Sequence, residues 1–547
     1  MSGRRGMRST AVVVAVAVVL GAAALVPAQS PRYDLLIKNA RVIDGTGNPW
    51  FRADIGLRGD LIVTIAARID EPAARTVDAA GLVVAPGFID LHVHAFQGAE
   101  PLPPVLPIVE VPTADNYVRQ GVTTLIAGPD GFSPVPLGPV FDELAKMGIT
   151  PNLGSFIGHG SVRDAVLGGV NRAPTPQELE RMRGMVRDGM RDGAFGLSTG
   201  LFYVPATFSK TDEVIDLAKV AAAMGGIHIS HMRDEAKGVV ESVRETIEIG
   251  EEGGLPTQVT HHKTVGKAAW GKTVDTLRLI DEARARGIDA TVDVYPYTAS
   301  ATAIQAALMP AWAQEGGQSE VLKRLRDPAT RPRILLETLQ LLLEERGGGD
   351  AHNVQLSSCA WDPSLAGKRL DEVAVGRGKS ASLEDAADTV LWLVEKGGCG
   401  GIYYAIDEAD VQRVLKHPAS MIASDGGVIL FGRASPHPRS YGTFARVLGR
   451  YVRELKVLSL EEAIRKMTSF PAQRVGLTDR GILREGMKAD LVIFDPNTVR
   501  DVATFEQPHQ YAEGVTTVVI NGQIAFEDGK ITPARPGRLL YGPARAR

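Results

Sequence analysis

The pattern of hydrophobic and polar residues divides the chain into two strand-rich ends and a middle of different character. Residues 33–45 alternate and stop at an Asp-Gly pair, and a second alternating segment turns at Gly59-Asp60. Near the other end, residues 488–495 and 514–530 have the same strand pattern, with Asn-Gly and Asp-Gly turns. We therefore predict a small β-sandwich domain built from both ends of the chain.

The middle of the chain, about residues 85–480, repeats a strand followed by a helix. The candidate strands are 87–93, 122–128, 152–158, 194–199, 225–231, 256–261, 289–295 and 420–425. Helical patterns lie between most of them, such as 176–192, 210–223, 236–252 and 272–286. Eight strands that alternate with helices predict an α/β fold of the (β/α)8 type, a TIM-like barrel.

One connection in this predicted barrel, about residues 299–418 between strands seven and eight, is much longer than the others. It contains two helical segments, 333–346 and 382–396. A connection of this length is expected to have its own structure, either as a lid or as a purely structural insertion. The expected parts of the chain are a signal peptide (1–28), the two parts of the β-domain (29–84 and 481–547) and the barrel (85–480).

The first 28 residues have the features of an export signal. Arg4, Arg5 and Arg8 precede an uncharged apolar run, 11–26, and small residues flank Pro27 at a suitable cleavage point. The run is shorter than the roughly 20 residues that a membrane-spanning helix needs. We expect an exported protein, periplasmic or secreted, that contacts no membrane after cleavage; the alternative is an uncleaved N-terminal anchor.

Composition narrows the possible partners. The 547 residues carry a formal charge of −4, from 60 Lys+Arg and 64 Asp+Glu, which argues against a nucleic-acid partner. Two cysteines, Cys359 and Cys399, are too few for a disulfide framework or a cysteine-rich zinc module. They could pair in an oxidising compartment, but the sequence does not decide this.

Six of the 11 histidines lie in three short segments, each at the end of a candidate strand. His92 and His94 are two residues apart on a strand and so point to the same face, which in a barrel is the interior. His231 and His261 end two later strands. Imidazoles commonly bind zinc, so we predict these four as metal ligands, although any one alone could be a packed core histidine. Their neighbours His228 and His262, and His159 at another strand end, fit packing or support of the ligands.

Two aspartates also follow candidate strands. Asp425 ends the eighth strand, where a carboxylate can bind metal and accept a proton from water; the alternative is a turn residue before Gly426-Gly427. Asp130 ends the second strand and is either a Pro-Asp-Gly turn or a carboxylate that bridges two metal ions. Cationic and phenolic groups stand near these ligands and could bind a substrate carboxylate: Tyr203, Arg233, Lys263, Tyr295, Tyr297, Arg439 and Tyr441.

At these residues the chain resembles the amidohydrolase superfamily, and within it the D-aminoacylases, or N-acyl-D-amino-acid deacylases. The resemblance runs from about residue 33 to 530. It is carried by the segments GHGSVRDAVLG, GAFGLSTGLFYVP, HMRDE, THHKTVG, MIASDGG, HPRSYGTFARVLGRYV and RGILREGMKADLVIFDP. It implies that His92 and His94 serve one metal position, that His231 and His261 serve the zinc position, and that Asp425 is the general acid/base. It also implies that Tyr203, Lys263, Tyr295 and Arg439 hold the substrate carboxylate.

The chain departs from this family at one metal ligand. The family has a cysteine in a Gly-Asn-Cys-Gly segment after the second strand, whereas this chain has Gly128-Pro129-Asp130-Gly131. Asp130 could replace the cysteine as a bridging oxygen ligand. The fourth strand ends in GLSTG, without the carboxylated lysine of other superfamily members. One or two zinc ions are therefore expected.

The resemblance implies a zinc hydrolase that cleaves the linear amide of a small N-acyl-D-amino acid to a carboxylate and a D-amino acid. One alternative keeps the chemistry and changes the substrate, as in a dipeptidase or a cyclic-amide hydrolase. Another is a non-catalytic exported binding protein on the same fold.

Overall fold

The computed structural model describes residues 2–3, 32–96 and 106–545. The predicted signal peptide, apart from residues 2 and 3, lies outside the described residues. Among the described helices, none has both the length and the hydrophobicity that crossing a membrane requires.

The chain from Tyr33 to Pro86 forms five strands. They are β1 (Tyr33–Val42), β2 (Phe51–Arg58), β3 (Leu61–Ala66), β4 (Ala73–Asp78) and β5 (Val83–Pro86). Strand β1 lies in the middle of this group. It pairs with β2 along one edge, and with β4 and then β5 along the other.

The next strands form most of a parallel barrel. They are β6 (Phe88–His94), β7 (Val122–Ala127), β8 (Asn152–Ser155), β9 (Ile157–Gly158), β10 (Gly196–Gly200), β11 (Ile227–His231), β12 (Thr257–Val259) and β13 (Ala290–Val294). The helices of this part are α1 (Pro107–Glu110), α2 (Asp115–Val118), α3 (Gly138–Met147), α4 (His159–Leu167), α5 (Pro176–Asp192), α6 (Thr211–Ala223), α7 (Val239–Gly253) and α8 (Thr273–Ala285). Local sequence sets the bounds of α5, which begins with a Thr175/Glu178 capping box and ends at Gly193 in the left-handed region.

The long connection after β13 is a compact insertion with its own core. Its strands are β14 (Ser300–Ala303), β15 (Val354–Ser358) and β16 (Gly400–Tyr403), and they form an antiparallel sheet. Its helices are α9 (Ile304–Leu308), α10 (Gln318–Arg326), α11 (Arg331–Glu344), α12 (Leu370–Gly376) and α13 (Leu383–Glu395). Cys359 and Cys399 are both buried in this core and form a disulfide bond.

The barrel is completed after the insertion. Helix α14 (Glu408–Lys416) packs on α8 and β13, so it is a barrel helix, although the expected insertion extended to residue 418. Strand β17 (Ser420–Ile422) pairs with β13, and β18 (Gly426–Gly427) pairs with β6, which closes the ring. The remaining helices are α15 (Arg439–Arg446), a π-helix (Val447–Glu454), α16 (Leu460–Met467) and α17 (Ser469–Arg474).

The C-terminal strands return to the first sheet. They are β19 (Leu491–Phe494), β20 (Val515–Ile520), β21 (Gln523–Glu527) and β22 (Lys530–Ile531). Because β19 pairs with β5, nine strands from both chain ends form one continuous sheet that encloses its own core. After β22 the chain runs back along the barrel, where Leu539 pairs with Leu153. Residues 481–547 were expected to form one unit, but this tail lies outside the sheet.

Candidate metal centre

Six predicted ligands converge at the carboxyl ends of the barrel strands. His92 and His94 lie on β6, and His231 is the last residue of β11. Asp130, His261 and Asp425 lie in the turns that follow β7, β12 and β17. Because the strands are parallel, their carboxyl ends meet at one face of the barrel, and residues far apart in the chain become neighbours.

The first cluster consists of His92, His94, Asp130 and Asp425, with one ligand atom from each within 4.8 Å of the others. His92 Nε2 lies 3.2 Å from Asp130 Oδ1 and 3.4 Å from Asp425 Oδ1. His94 Nε2 lies 3.0 Å from Asp425 Oδ1. Two imidazoles and two carboxylates form a donor set of the kind that holds zinc.

The second cluster consists of Asp130, His231 and His261. Asp130 Oδ1 lies 3.4 Å from His261 Nε2 and 3.7 Å from His231 Nδ1, and these two nitrogens are 2.7 Å apart. Asp130 thus belongs to both clusters, in the position expected for a bridging ligand.

Buried polar atoms of these clusters lack hydrogen-bond partners among the described residues. They include both ring nitrogens of His92 and Asp130 Oδ1. Buried polar groups in proteins are nearly always paired, so orphaned atoms that face one another fit a bound cation. The residues present therefore suit one or two zinc ions.

The backbone at three of these ligands is in the left-handed region, which non-glycine residues rarely adopt. The φ angles are 57° at Asp130, 35° at His261 and 52° at Asp425. Each residue lies shortly after the end of a strand, in a turn that brings its side chain to the clusters. At Asp130 the two sequence interpretations hold together, because the residue is part of a Pro-Asp-Gly turn and also belongs to both clusters.

Electrostatics around the clusters favour ionised carboxylates. Burial would raise the pKa of the Asp425 carboxyl. Arg439, His261 and His92 instead hold this pKa below its usual value. Arg439 Nη1 donates a hydrogen bond to Asp425 Oδ2 at 2.6 Å. Burial would likewise raise the pKa of Asp130, yet His92, His231 and His261 keep it well below its usual value. Burial and Lys263 oppose protonation of His261, but Asp425 and Asp130 raise its pKa to about 9. The two ionised carboxylates, Asp130 and Asp425, create a negative potential that favours a bound cation.

Two buried aspartates support the ligand backbone, and the sequence analysis missed both. Asp90 accepts hydrogen bonds from the backbone N–H groups of His92 and Ser424. Asp293 accepts one from the backbone N–H of His261. One feature of the sequence could have identified both: each is an acidic residue inside an otherwise apolar strand. A carboxylate there is costly to bury without partners.

A buried ion-pair group lies behind the second cluster. Lys263 Nζ donates to Glu235 Oε1 at 2.5 Å, and the Arg346 guanidinium donates to Glu235 Oε2 at 2.9 Å. Burial would raise the pKa of Glu235, but Lys263, His231 and His261 hold it well below its usual value. Arg346 was not a sequence candidate, since it lies in the insertion, far along the chain from every ligand.

The four predicted substrate-binding residues also lie beside the clusters. The Tyr203 ring is 4.7 Å from that of His231, and its hydroxyl accepts a hydrogen bond from Thr302 of the insertion. Arg439 and Lys263 stand over the Tyr295 ring, 4.9 Å and 5.5 Å from its centre. The buried Tyr295 hydroxyl has no hydrogen-bond partner within the described part of the chain, which leaves it able to bind a ligand.

Other candidates lie away from the ligand clusters. The His228 ring forms hydrogen bonds with the hydroxyls of Thr199 and Thr257, and the His262 ring forms one with the hydroxyl of Thr276. His159 bonds Glu213, and Arg233 bonds Glu245. His228 and His262, which were expected to pack or to support the ligands, thus form hydrogen bonds with threonine hydroxyls.

The match to known proteins extends over most of the chain. Residues 75–526 match the model of the amidohydrolase family. The chain belongs to the amidohydrolase family. The relatives described next confirm two predictions. One is the (β/α)8 barrel with a separate sheet domain, and the other is the resemblance to the D-aminoacylases.

Similar amidohydrolases are known from sequence and structure. The chain is 37% identical over 544 residues to the D-aminoacylase of Alcaligenes xylosoxydans xylosoxydans, covering 93% of this chain and 98% of that one. A solved structure of a D-aminoacylase with a binuclear metal centre matches with a TM-score of 0.78 at 34% identity. The N-acyl-D-glutamate deacylase of Bordetella bronchiseptica, complexed with zinc and a phosphonate that mimics the tetrahedral intermediate, matches with a TM-score of 0.78 at 33% identity. Both structural matches cover 93% of this chain and 100% of the other.

Proposed function

We propose that this amidohydrolase is a metal-dependent deacylase, which hydrolyses the linear amide of N-acyl-D-amino acids to a carboxylate and a D-amino acid. The observation that carries the proposal is the pair of clusters joined through Asp130, in a chain that matches a D-aminoacylase along 93% of its length. The relatives named above act on N-acyl-D-amino acids, and the chain retains a complete histidine and aspartate set.

Zinc is the metal that the residues suit best. His92, His94 and Asp425 would hold one ion, His231 and His261 the other, and Asp130 would bind both. A zinc ion in such a site lowers the pKa of bound water and polarises a carbonyl group. These donors are nitrogen and oxygen only, so the thiolate of the family pattern is replaced by a harder carboxylate.

Asp425 is the proposed proton carrier. Its carboxylate is ionised, buried and directed into the first cluster, so it can accept a proton from the attacking water and deliver it to the leaving nitrogen. Arg439 holds Asp425 Oδ2, which fixes the carboxylate and leaves Oδ1 facing the imidazoles.

The substrate carboxylate would bind to the cationic and phenolic groups beside the clusters. Lys263 and Arg439 supply charge, and the hydroxyls of Tyr203 and Tyr295 supply hydrogen bonds. Tyr203 packs against His231, and both cations stand over the Tyr295 ring, so the four groups lie together beside the clusters. Fixing the carboxylate beside the reacting amide would orient the amide towards the clusters.

The decisive experiment measures hydrolysis by the purified chain 29–547 with added zinc, as amine release for acyl-amino acids and dipeptides and as ring opening, followed by chromatography, for hydantoins. The panel contains matched N-acetyl-D- and N-acetyl-L-amino acids, dipeptides and hydantoins. We expect preference for the D-acyl series. Cleavage of L-dipeptides or hydantoins alone would replace the proposal by a dipeptidase or a cyclic-amide hydrolase. Binding of N-acyl-D-amino acids without turnover would indicate a binding protein.

We further propose that the protein is exported and acts in the periplasm or outside the cell. The basic and apolar pattern of residues 1–28 supports this, as does the Cys359–Cys399 disulfide, since such bonds persist mainly in oxidising compartments. The test is to express the full chain in its native host and fractionate the cells. A chain found outside the cytoplasm with a new N-terminus near residue 29 supports export, and a full-length cytoplasmic chain rejects it.

A further inference from the structure

Glu235 faces both histidines of the second cluster. Its Oε1 lies 3.2 Å from His261 Nδ1, and its Oε2 lies 3.8 Å from His231 Nε2. The other ring nitrogens, His261 Nε2 and His231 Nδ1, face Asp130. Each imidazole therefore has one nitrogen towards the metal cluster and the other towards Glu235.

The side of each ring that faces Glu235 is the side that carries the proton when the other nitrogen binds a metal. A histidine that binds a metal is neutral, and its second nitrogen carries the proton. Such an N–H is normally donated to a carboxylate, carbonyl or water, which orients the ring and increases its basicity. Glu235 Oε1 is within reach of a proton on His261 Nδ1, and Glu235 Oε2 is the carboxylate oxygen that faces His231 Nε2 at the longer distance of 3.8 Å.

Glu235 is almost fully buried, with 1% of its side chain exposed, so its charge needs close cationic partners. Lys263 is one of them, but it is also proposed to bind the substrate carboxylate. Its Nζ lies 2.8 Å from His261 Nδ1 as well, a contact that a proton on Nδ1 would weaken. The Glu235 charge therefore needs a second partner that stays in place when Lys263 turns away.

Arg346 is that second partner. Its side chain is 4% exposed, and it is held by two further contacts. Its Nη1 donates to Ser300 Oγ at 3.0 Å, and its guanidinium lies 4.8 Å from the centre of the Phe202 ring. A buried guanidinium held on several sides keeps a fixed geometry towards Glu235.

We propose that Arg346 is a positioning residue of the metal centre, which holds Glu235 against His231 and His261. The insertion that carries Arg346 is thus a structural part of the centre. Because Arg346 balances the charge of Glu235, the Lys263 ammonium can turn towards a substrate carboxylate. Only this last role rests on the proposed function; the role towards His231 and His261 does not.

The test compares Arg346→Gln with a matched control in the same insertion, Arg333→Gln on α11. The Arg333 side chain is 65% exposed, bonds Glu337 one turn further along the helix and stacks on Trp312. Zinc affinity and stoichiometry are measured by competition with a chromophoric chelator. We expect Arg346→Gln to weaken zinc binding by up to about 10–100-fold, the loss usual when the outer partner of a metal ligand is removed, because Arg346 acts through that partner, Glu235. Arg333→Gln should stay within about twofold of the wild type, as a surface change should.

A second comparison separates positioning from a general effect on folding. In the Glu235→Gln background the buried charge is gone, so adding Arg346→Gln should change zinc affinity by less than about twofold. This double variant also avoids a buried carboxylate left with Lys263 as its only cationic partner among the described residues, so it remains informative where the single variant does not fold. A further tenfold loss in that background would overturn the proposal, as would a folded Arg346→Gln chain with wild-type zinc affinity.

The same variants distinguish this proposal from the proposed function. Zinc binding is measured without substrate, so the role of Arg346 stands or falls whatever amide the enzyme cleaves. If the zinc results are as expected but no N-acyl-D-amino acid is turned over, the positioning role holds and the substrate assignment fails. If the substrate assignment holds, Arg346→Gln should also raise KM, because Lys263 would stay bound to Glu235.

Discussion

Asp425 has contacts on each of its two oxygens, and they serve different purposes. Oδ2 accepts from Arg439, while Oδ1 lies 3.0 Å from His94 Nε2 and 3.4 Å from His92 Nε2. The first contact fixes the carboxylate, and the second places it where the attacking water would lie. A single residue thus joins the first cluster to Arg439, one of the groups proposed to bind the substrate carboxylate.

Asp425→Asn should lower kcat by about 10²–10⁴-fold, since an amide cannot carry the proton. The measurement is amine release at saturating substrate, with bound zinc counted in the same sample. Arg439→Lys is the comparison, because it keeps a cation beside Asp425 and should act mainly on KM. Full turnover by the Asp425→Asn chain would refute the proton-carrier role.

Asp130 is the residue that both clusters share and the proposed common ligand, so its removal should affect both. We expect Asp130→Ala to lower the zinc content of the purified protein, counted by atomic emission after gel filtration. Asp130→Cys should retain at least one zinc, because a thiolate is a good zinc ligand. The exposed Asp142 provides the control, and Asp142→Ala should keep the wild-type content. Equal zinc in the Asp130→Ala and wild-type chains would show that Asp130 is not a ligand.

At the scale of elements, the barrel strands follow the sequence pattern closely, while several ligands lie just beyond the strand ends. The predicted strand 256–261 ends at Val259, and His261 sits in the turn that follows. The hydrophobic pattern predicts buried strands, but it does not report the left-handed φ angles that aim Asp130, His261 and Asp425. Those angles are held by packing around each turn.

The insertion is the element whose stability depends on a covalent link. The Cys359–Cys399 disulfide closes a sequence separation of 40 residues within its core. Replacing both cysteines by serine should cost about 4 kcal/mol by the loop-entropy relation. The check is thermal unfolding of the variant beside the wild type with and without reductant. The reduced wild type should approach the variant, and two free thiols in the denatured, unreduced wild type would show that the bond is not formed.

At the scale of the whole molecule, the sheet domain and the barrel share a buried polar junction. Asp490 accepts from Asn152 Nδ2 at 3.0 Å and from the backbone N–H of Asn521 at 2.7 Å, and it pairs with Arg480. Asn521 donates to Asn152 Oδ1 at 2.7 Å. The junction ties the start of β8 in the barrel to the C-terminal strands, so the two units are expected to unfold together.

Acid should destabilise the whole protein through its buried neutral histidines. Burial lowers the pKa of His228 to about 3, so its folded form stays neutral while the unfolded form is protonated below about pH 6.5. The folded state then binds fewer protons, and its stability falls as the pH drops from 6.5 towards 3, by up to about 1.4 kcal/mol per pH unit.

His228→Gln should therefore lose less stability than the wild type between pH 6.5 and 4.5, by about 2–3 kcal/mol. Urea unfolding of the metal-free proteins measures the difference and removes any contribution from zinc loss. His352→Gln is the comparison at an exposed histidine. Equal slopes for the wild type and His228→Gln would contradict the prediction.

Local sequence determined much of this protein. Alternation predicted the strands of the β-domain and the barrel, because a half-buried or fully buried strand needs apolar residues at set positions. Histidines and aspartates at strand ends predicted which side chains converge, since parallel strands bring their carboxyl ends together. His92, His94, His231, His261, Asp130 and Asp425 all meet where this reasoning placed them.

Tertiary structure alone decided the contacts between distant segments. Arg346 reaches Glu235 across 111 positions, and Cys359 meets Cys399 only through the fold of the insertion. Helix α14 belongs to the barrel because it packs on α8 and β13, a fact absent from its own pattern. Such pairings depend on the path of the chain in space, because hydrophobic periodicity describes which face of an element is buried and not what covers it.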